Sequence, residues 1–355
     1  MYMSDYGYQT YSANKLLADC QKTGVEAAVL AASPGSGKTT ISHIVISKYL
    51  KQHPNAKVLV LTHGQNLLKN QYIESLQNPH VEIGYTFGEF GQDVQVQIGL
   101  PQAIKKYPYN FVDLLIVDEC HEFYLKKMVQ NIVKKLKPKH QLLMTGSPSE
   151  FNRLKNFGKK YEFTYISGEQ LIKKNVFATV DMDVVEVKSK KQIKNVIDQM
   201  YKQAKRKGFD LSKLMIACKR ISEANVIADY LKSIGRKVAV SNCKNDRKSE
   251  MVKDFKNGDY DTLIVIQRGI LGFSDGNITG LFDMRCSSDV DISNQLYARV
   301  LRKHPKNIRK FYFRCAEGSP KVFNKEVIML HKIKAMMRTD MLKRYDGTNM
   351  EVRIN

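Results

Sequence analysis

The chain has 355 residues with 57 Lys+Arg against 35 Asp+Glu, a formal net charge of +22, and 43% hydrophobic residues. That length exceeds one ordinary core and predicts two domains, and the hydrophobic share suffices to bury both. No stretch reaches membrane-spanning length and Met1 to Thr10 carries no apolar run, so neither secretion nor a bilayer is expected. The lysines fall in scattered pairs, from Lys105-Lys106 to Lys190-Lys191, which describes a basic globular surface suited to a polyanion or simply to solubility. Six cysteines (Cys20, Cys120, Cys218, Cys243, Cys286, Cys315) lie far apart without a C-x-x-C pair. They read as reduced core thiols of a cytoplasmic protein, not as zinc ligands or a disulfide framework.

Ala13, Leu16, Leu17 and Cys20 recur at helical spacing and predict a first helix over 12–23, stopped by Gly24. The apolar run 27–31 then reads as a strand, followed by Ala32-Ser33-Pro34-Gly35-Ser36-Gly37-Lys38-Thr39-Thr40 and a helix from Ile41 to just before Pro54. A strand, a glycine-rich turn and a helix N-terminus together wrap the phosphates of a nucleotide. Glycines turn backbone N–H groups inward, Lys38 reaches the outer phosphates, and the Thr39 hydroxyl is placed to hold Mg²⁺. The pattern G-x-x-x-x-G-K-[ST] asks for glycine where Ala32 stands, so a plain capped turn is the alternative on this stretch alone.

Further buried strands are predicted at 57–62, 113–118 and 141–145, with an alternating strand through Val94, Val96 and Ile98 and helices over about 66–76 and 128–136. The pattern repeats after Asp181, with a helix through Ile193, Val196, Ile197, Met200 and Ala204, another over 221–234, and strands at 213–217, 237–240, 262–266, 280–284 and 310–313. Strands alternating with helices imply parallel, doubly wound sheets in both halves. The alternating run Val180, Met182, Val184, Val185 and Val187 is read as the segment crossing between them. From Ser319 onward a helical apolar stripe is expected to pack back on one domain, with a contact to nucleic acid as the other reading of its basic face.

Two constellations carry chemistry. Asp118-Glu119-Cys120-His121 follows a buried strand, where Asp118 can hold Mg²⁺ and Glu119 can orient and deprotonate a water attacking a γ-phosphate; the alternative is a helix cap. Gln295, Arg299 and Arg302 stand at i, i+4 and i+7 and on a helix share one face, from which arginines reach a transferring phosphoryl group; the alternative is a solvated basic face.

In this order the motifs resemble those of superfamily II helicases on the DExH side. Residues 32–40, 118–121, Thr145-Gly-Ser-Pro148 and 295–302 correspond to motifs I, II, III and VI; 57–70, 215–235 and 262–275 are similar to Ia, IV and V. Tyr8-Gln9 resembles the pair that reads adenine in that family, and Arg299-Val-Leu-Arg-Lys-His304 is most similar to phage helicases of the UvsW group. The family commonly has alanine at the position of Ala32.

The resemblance implies two tandem RecA-like domains, 1–180 with motifs I to III and 181–318 with motifs IV to VI, followed by a helical extension over 319–355. It implies ATP and Mg²⁺ in a cleft between the domains, with Tyr8, Gln9, Pro34, Gly35, Ser36, Gly37, Lys38, Thr39 and Thr40 on the nucleotide and Thr39 and Asp118 on the metal. Lys38, Asp118, Glu119, His121, Gln295, Arg299 and Arg302 would carry hydrolysis. Thr62, Thr145, Arg268, Gly272 and Ser274 would hold nucleic acid, DNA more readily than RNA. Ser274 stands where many relatives have aspartate, and little chain separates Gly272 from Gln295 for a strand-splitting hairpin. The implied activity is an ATP-dependent helicase or translocase of a bacterial or phage-infected cytoplasm. An ATP-gated clamp, annealing factor or motor subunit that relies on a protein partner for strand separation is the alternative.

Overall fold

The computed structural model describes residues 7–62, 83–85, 94–102, 107, 110–146, 160–242, 250–266 and 275–338. The chain divides into two units, one reaching Ser167 and the other running from Gly168 to Arg338. The expected helix over 66–76 lies outside the described residues.

In the first unit the apolar runs have no polar position to offer water, so they pair as strands covered on both faces. The strands are β1 (Ala27–Ala32), β2 (Val58–Leu61), β3 (Ile83–Tyr85), β4 (Val96–Gly99), β5 (Leu114–Val117), β6 (His140–Thr145) and β7 (Tyr161–Ile166). They form one seven-stranded sheet in the order β3-β4-β2-β5-β6-β1-β7, with every pairing parallel. Parallel neighbours need crossovers. The helix Lys38–Gln52 supplies one between β1 and β2, and Lys127–Leu136, burying Val129, Val133 and Leu136, another between β5 and β6. The first helix begins at Gly7, earlier than its apolar stripe predicts, and so carries Tyr8 and Gln9 on its opening turn.

The second unit holds β8 (Val180–Val187), β9 (Leu214–Cys218), β10 (Val238–Ser241), β11 (Thr262–Ile266), β12 (Gly280–Asp283) and β13 (Lys310–Glu317). Their order is β10-β11-β9-β12-β13-β8, again parallel throughout. Two parallel sheets with crossover helices are the tandem RecA-like architecture. The run expected to cross between domains is instead edge strand β8, paired along its whole length with β13. Its alternation is that of an edge strand, with Glu186 exposed between buried Val185 and Val187. The C-terminal helix Pro320–Met336 is capped by the Ser319 side chain, which accepts from the Val322 N–H, and buries Met329, Leu330, Ile333 and Met336.

Strand β13 runs past its expected end at 313 and carries two buried cations, Lys310 and Arg314. Arg314 has no exposed surface. Its Nη1 donates to Asp283 Oδ2 and to Ser293 Oγ, both at 3.0 Å, its Nε to Glu326 Oε2 at 2.7 Å, and its Nη2 to the Ser287 carbonyl at 2.9 Å. One guanidinium thereby joins two strands, the helix Val290–Tyr297 and the C-terminal helix. Arg314→Met should lower unfolding free energy by about 3–5 kcal/mol in a denaturant titration, because two buried carboxylates lose their partner. A loss below about 1 kcal/mol would mean that the network contributes little. Lys310 donates to the Gly276 and Arg302 carbonyls. Burial works against its charge and holds its ammonium at about 8, well below the ordinary lysine value.

Candidate nucleotide-binding site

The carboxyl end of β1 opens directly into the turn that begins the helix Lys38–Gln52. Gly35 (φ 83°) and Gly37 (φ 85°) both take the left-handed conformation, which costs an L side chain roughly 1–2 kcal/mol. Gly37 is needed for space as well, since a Cβ there would lie 2.1 Å from Gln9 Nε2. The Tyr8 hydroxyl donates to the Ser36 carbonyl at 2.6 Å. The first helix therefore meets the turn through half-buried Tyr8 and buried Gln9. The Ser33 and Ser36 hydroxyls are buried without a hydrogen-bond partner among the described residues. Unpaired buried donors beside a helix N-terminus suit an anion that completes them.

The acidic pair arrives on the next strand but one. The Asp118 N–H donates to the Leu61 carbonyl at 2.8 Å, which extends the β5–β2 pairing one residue past the strand and leaves the Asp118 carboxylate buried. Glu119 then turns left-handed at φ 49° and ψ 47°, a conformation uncommon outside glycine. The reversal aims its carboxylate back across the sheet edge. Glu119 Oε1 lies 3.4 Å from Lys38 Nζ, while Oε2 lies 3.5 Å from His121 Nδ1 and accepts from the Gly146 N–H at 3.4 Å. His121 Nδ1 is also 2.8 Å from Thr145 Oγ1. A Cβ on Gly146 would approach Lys38 Nζ to 2.9 Å, so the absence of a side chain after β6 makes room for the ammonium.

Burial raises the affinity of the Glu119 carboxyl for its proton, but Lys38, His121 and the Gly146 N–H together outweigh it and hold the group below its ordinary value. Glu119 is therefore ionised at neutral pH, able to accept from a water and to return a proton. The residues of motifs I, II and III thus meet at one sheet edge through Lys38, Glu119, His121, Thr145 and Gly146. The role of Gly146 was not anticipated; the available signal was a glycine directly after a buried strand.

The second unit departs from expectation. The helix that carries Gln295 ends at Tyr297, so Gln295, Arg299 and Arg302 do not share a helical face. The Arg299 N–H donates to the Leu296 carbonyl and the Val300 N–H to that of Tyr297, three residues back in each case, which tightens the chain out of α-geometry. The Ala178 N–H donating to the Leu301 carbonyl, with a bridge between Phe177 and Arg302, then draws the chain into an extended path. Arg299 is buried in that turn and Arg302 half-buried in the bridge. Of the residues expected to hold nucleic acid, Thr62 and Thr145 are buried, and Thr145 engages His121. Arg268, Gly272 and Ser274 lie outside the described residues.

Residues 3–150 match the family model of the type III restriction enzyme res subunit, ResIII. No curated protein matches the chain. In fold it is similar to S. cerevisiae Dbp5 bound to RNA and ADP BeF3, at 13% identity and a TM-score of 0.66 over 97% of this chain and 91% of that one. It is similar also to a fragment named as an HsdR subunit of a type I restriction enzyme from Vibrio vulnificus YJ016, at 16% identity and 0.67 over 98% and 68%. A third likeness is to the ATP-dependent Type ISP restriction-modification enzyme LlaBIII bound to DNA, at 14% identity and 0.73, where 94% of this chain covers 30% of that one. At these identities the likeness is one of fold, and the family match lies within the first unit. No helix among the described residues is long and apolar enough to cross a membrane.

Proposed function

We propose that this protein is an ATP-dependent nucleic-acid motor of superfamily II, DExH type and UvsW-like, acting in the cytoplasm of a bacterial or phage-infected cell. It couples hydrolysis to movement along a strand, unwinding or remodelling of branches, with DNA as the favoured substrate. The observation that carries this reading is the convergence of Lys38, Glu119, His121 and Thr145 on the turn with two left-handed glycines. The family match over residues 3–150 and the formal charge of +22 support it. So do the nucleotide analogue and RNA named with Dbp5 and the DNA named with LlaBIII.

The residues fit the ligands asked of them. The turn 33–37, with its unpaired Ser33 and Ser36 hydroxyls, would wrap the phosphates, Tyr8 and Gln9 would face the base, and Thr39 and Asp118 would supply hard oxygen ligands to Mg²⁺. When bound, Mg²⁺ would neutralise charge on the β- and γ-phosphates. Lys38 binds the outer phosphate oxygens, and Glu119 orients the attacking water and takes its proton. His121 bridges Glu119 to Thr145 and so relates the occupied site to the strand-end segment that carries motif III. Gln295, Arg299 and Arg302 are assigned the finger role on the family resemblance, with 1–180 and 181–318 as the two motor domains.

An ATPase titration against single-stranded, duplex and branched DNA and single-stranded RNA, at two salt concentrations, tests the reading. Hydrolysis should rise at least tenfold with DNA and less with RNA, and the concentration for half-stimulation should increase steeply with salt as phosphate contacts are screened. Basal hydrolysis unaffected by every polynucleotide would overturn it. Stimulated hydrolysis without strand displacement would favour the clamp reading over unwinding.

A further inference from the structure

Five of the six cysteines are described, and all five are free thiols. Three of them sit singly in the cores: burial pushes the Cys20 thiol up to about 12, raises Cys120 well above the ordinary value, and raises Cys218 as well. Such thiols are inert. The remaining two are placed differently. Cys286 Sγ lies 3.7 Å from Cys315 Sγ and 3.2 Å from the Cys315 carbonyl oxygen.

The pairing arises from the local path of the chain. Strands β12 and β13 run parallel with Asp283 opposite Arg314. Beyond β12 the chain turns back at Cys286, whose φ of 43° is left-handed without being glycine. Asp283 fixes that turn, accepting from the Arg285 and Cys286 N–H groups at 3.1 and 3.2 Å. Cys315 is buried in β13, whereas Cys286 lies in a connection and is partly exposed as a residue. Lys190 interacts with both sulfurs; its own burial opposes its charge, but Cys286, Cys315 and Glu326 together hold its ammonium above the ordinary value. The hydrogen bond between the two thiols lowers that of Cys315 and raises that of Cys286 well above the ordinary value, and burial works against ionisation of both. Two thiols in contact, with a cation among their neighbours and one of them in a connection and not in a strand, are placed to join on oxidation.

We propose that Cys286 and Cys315 form a dithiol modification site that closes to an intramolecular disulfide under peroxide. One sulfur gives up its proton and attacks hydrogen peroxide; the O–O bond breaks, water leaves, and a sulfenic acid remains. The second sulfur displaces that hydroxyl, which departs as water with the second thiol proton. Two S–H bonds and one O–O bond are lost, one S–S bond forms, and two electrons pass to the peroxide. The sulfurs must approach from 3.7 Å to about 2.05 Å.

Closure would tie the connection 284–289 to β13. That connection leads into the helix Val290–Tyr297 and on to Arg299 and Arg302, and Arg314, next to Cys315, already holds the Ser287 carbonyl and the Ser293 hydroxyl. The cross-link thus removes the freedom of the segment that delivers the arginines. This consequence rests on the motor reading, whereas the chemistry of the pair does not.

The test treats the full chain with graded hydrogen peroxide under native conditions. It then counts thiols after denaturation and maps a non-reducing digest by mass spectrometry. Two of the six thiols should disappear, and the Cys286 and Cys315 peptides should be joined. DNA-stimulated ATPase should fall severalfold and return with dithiothreitol, and Cys286→Ser should be insensitive over the same range. An unchanged thiol count, pairing with another cysteine, or over-oxidation of Cys286 without the joined peptide would overturn the site. A joined peptide with an unaltered ATPase rate would overturn the coupling to the arginines. If the reduced wild-type chain shows no stimulated ATPase at all, the motor reading fails while the joined peptide still decides the dithiol site.

Discussion

Glu119→Gln is expected to leave nucleotide binding within about threefold of wild type while lowering DNA-stimulated hydrolysis by about 10²–10⁴-fold, the range for loss of a positioned general base. The substitution keeps the shape of the side chain and an oxygen to accept from the Gly146 N–H, so the turn at φ 49° has the same anchor. It removes the charge that faces Lys38 and His121 and the ability to take a proton from water. Binding of a fluorescent ATP analogue, read beside single-turnover hydrolysis, separates the two effects. The pH profile provides an internal check. Because the carboxyl of the free protein is held below its ordinary value of 4.5, protonation of Glu119 should lower wild-type kcat/KM only at pH values lower than that, and no acid limb of this origin should remain in the variant. Wild-type hydrolysis in Glu119→Gln would remove Glu119 from the reaction.

The parts of this structure legible in the sequence are those where one residue's neighbours along the chain determine its environment. An unbroken short run such as Val58–Leu61 or Leu114–Val117, too brief for a helix and rich in β-branched residues, reads as a covered strand, and a glycine-rich turn between strand and helix has few uses. Edge strands escape that logic. β7 exposes part of Tyr161, Glu162, Phe163 and Tyr165 and is absent from the expected strands although its alternation suits an edge, while β8 mixes aspartates with valines and resembles a linker. Buried charge escapes it more completely. Arg314 and Lys310 are tolerable inside β13 only because partners arrive from Asp283, Glu326, Gly276 and Arg302, none adjacent in sequence. The spacing of Gln295, Arg299 and Arg302 suggested a helical face, but bonds to carbonyls three residues back and the bridge at Phe177 end the helix first. Local spacing cannot register a competing partner that lies far away in the chain.

Lys38→Ala should weaken ATP binding by about 10²-fold or more and leave no measurable stimulated hydrolysis, the loss expected when charge-assisted hydrogen bonds worth about 1.5–3 kcal/mol each are removed. Its ammonium rests 3.4 Å from Glu119 Oε1, with little exposed surface on the lysine side chain. A γ-phosphate entering the turn competes for that ammonium. On the proposed motor reading its arrival would draw Lys38 from the carboxylate and leave Glu119 free to accept from water, so that one lysine would both bind the nucleotide and release the base. Lys38→Arg distinguishes this arrangement from a requirement for positive charge alone. The space over Gly146, where a Cβ would already come within 2.9 Å of Nζ, suits an ammonium and not a planar guanidinium. Arginine should therefore restore less than a tenth of wild-type hydrolysis while recovering part of the ATP affinity, measured by the same fluorescent analogue. Full hydrolysis in Lys38→Arg would show that charge at this position is sufficient and that the contact with Glu119 has no part in the reaction.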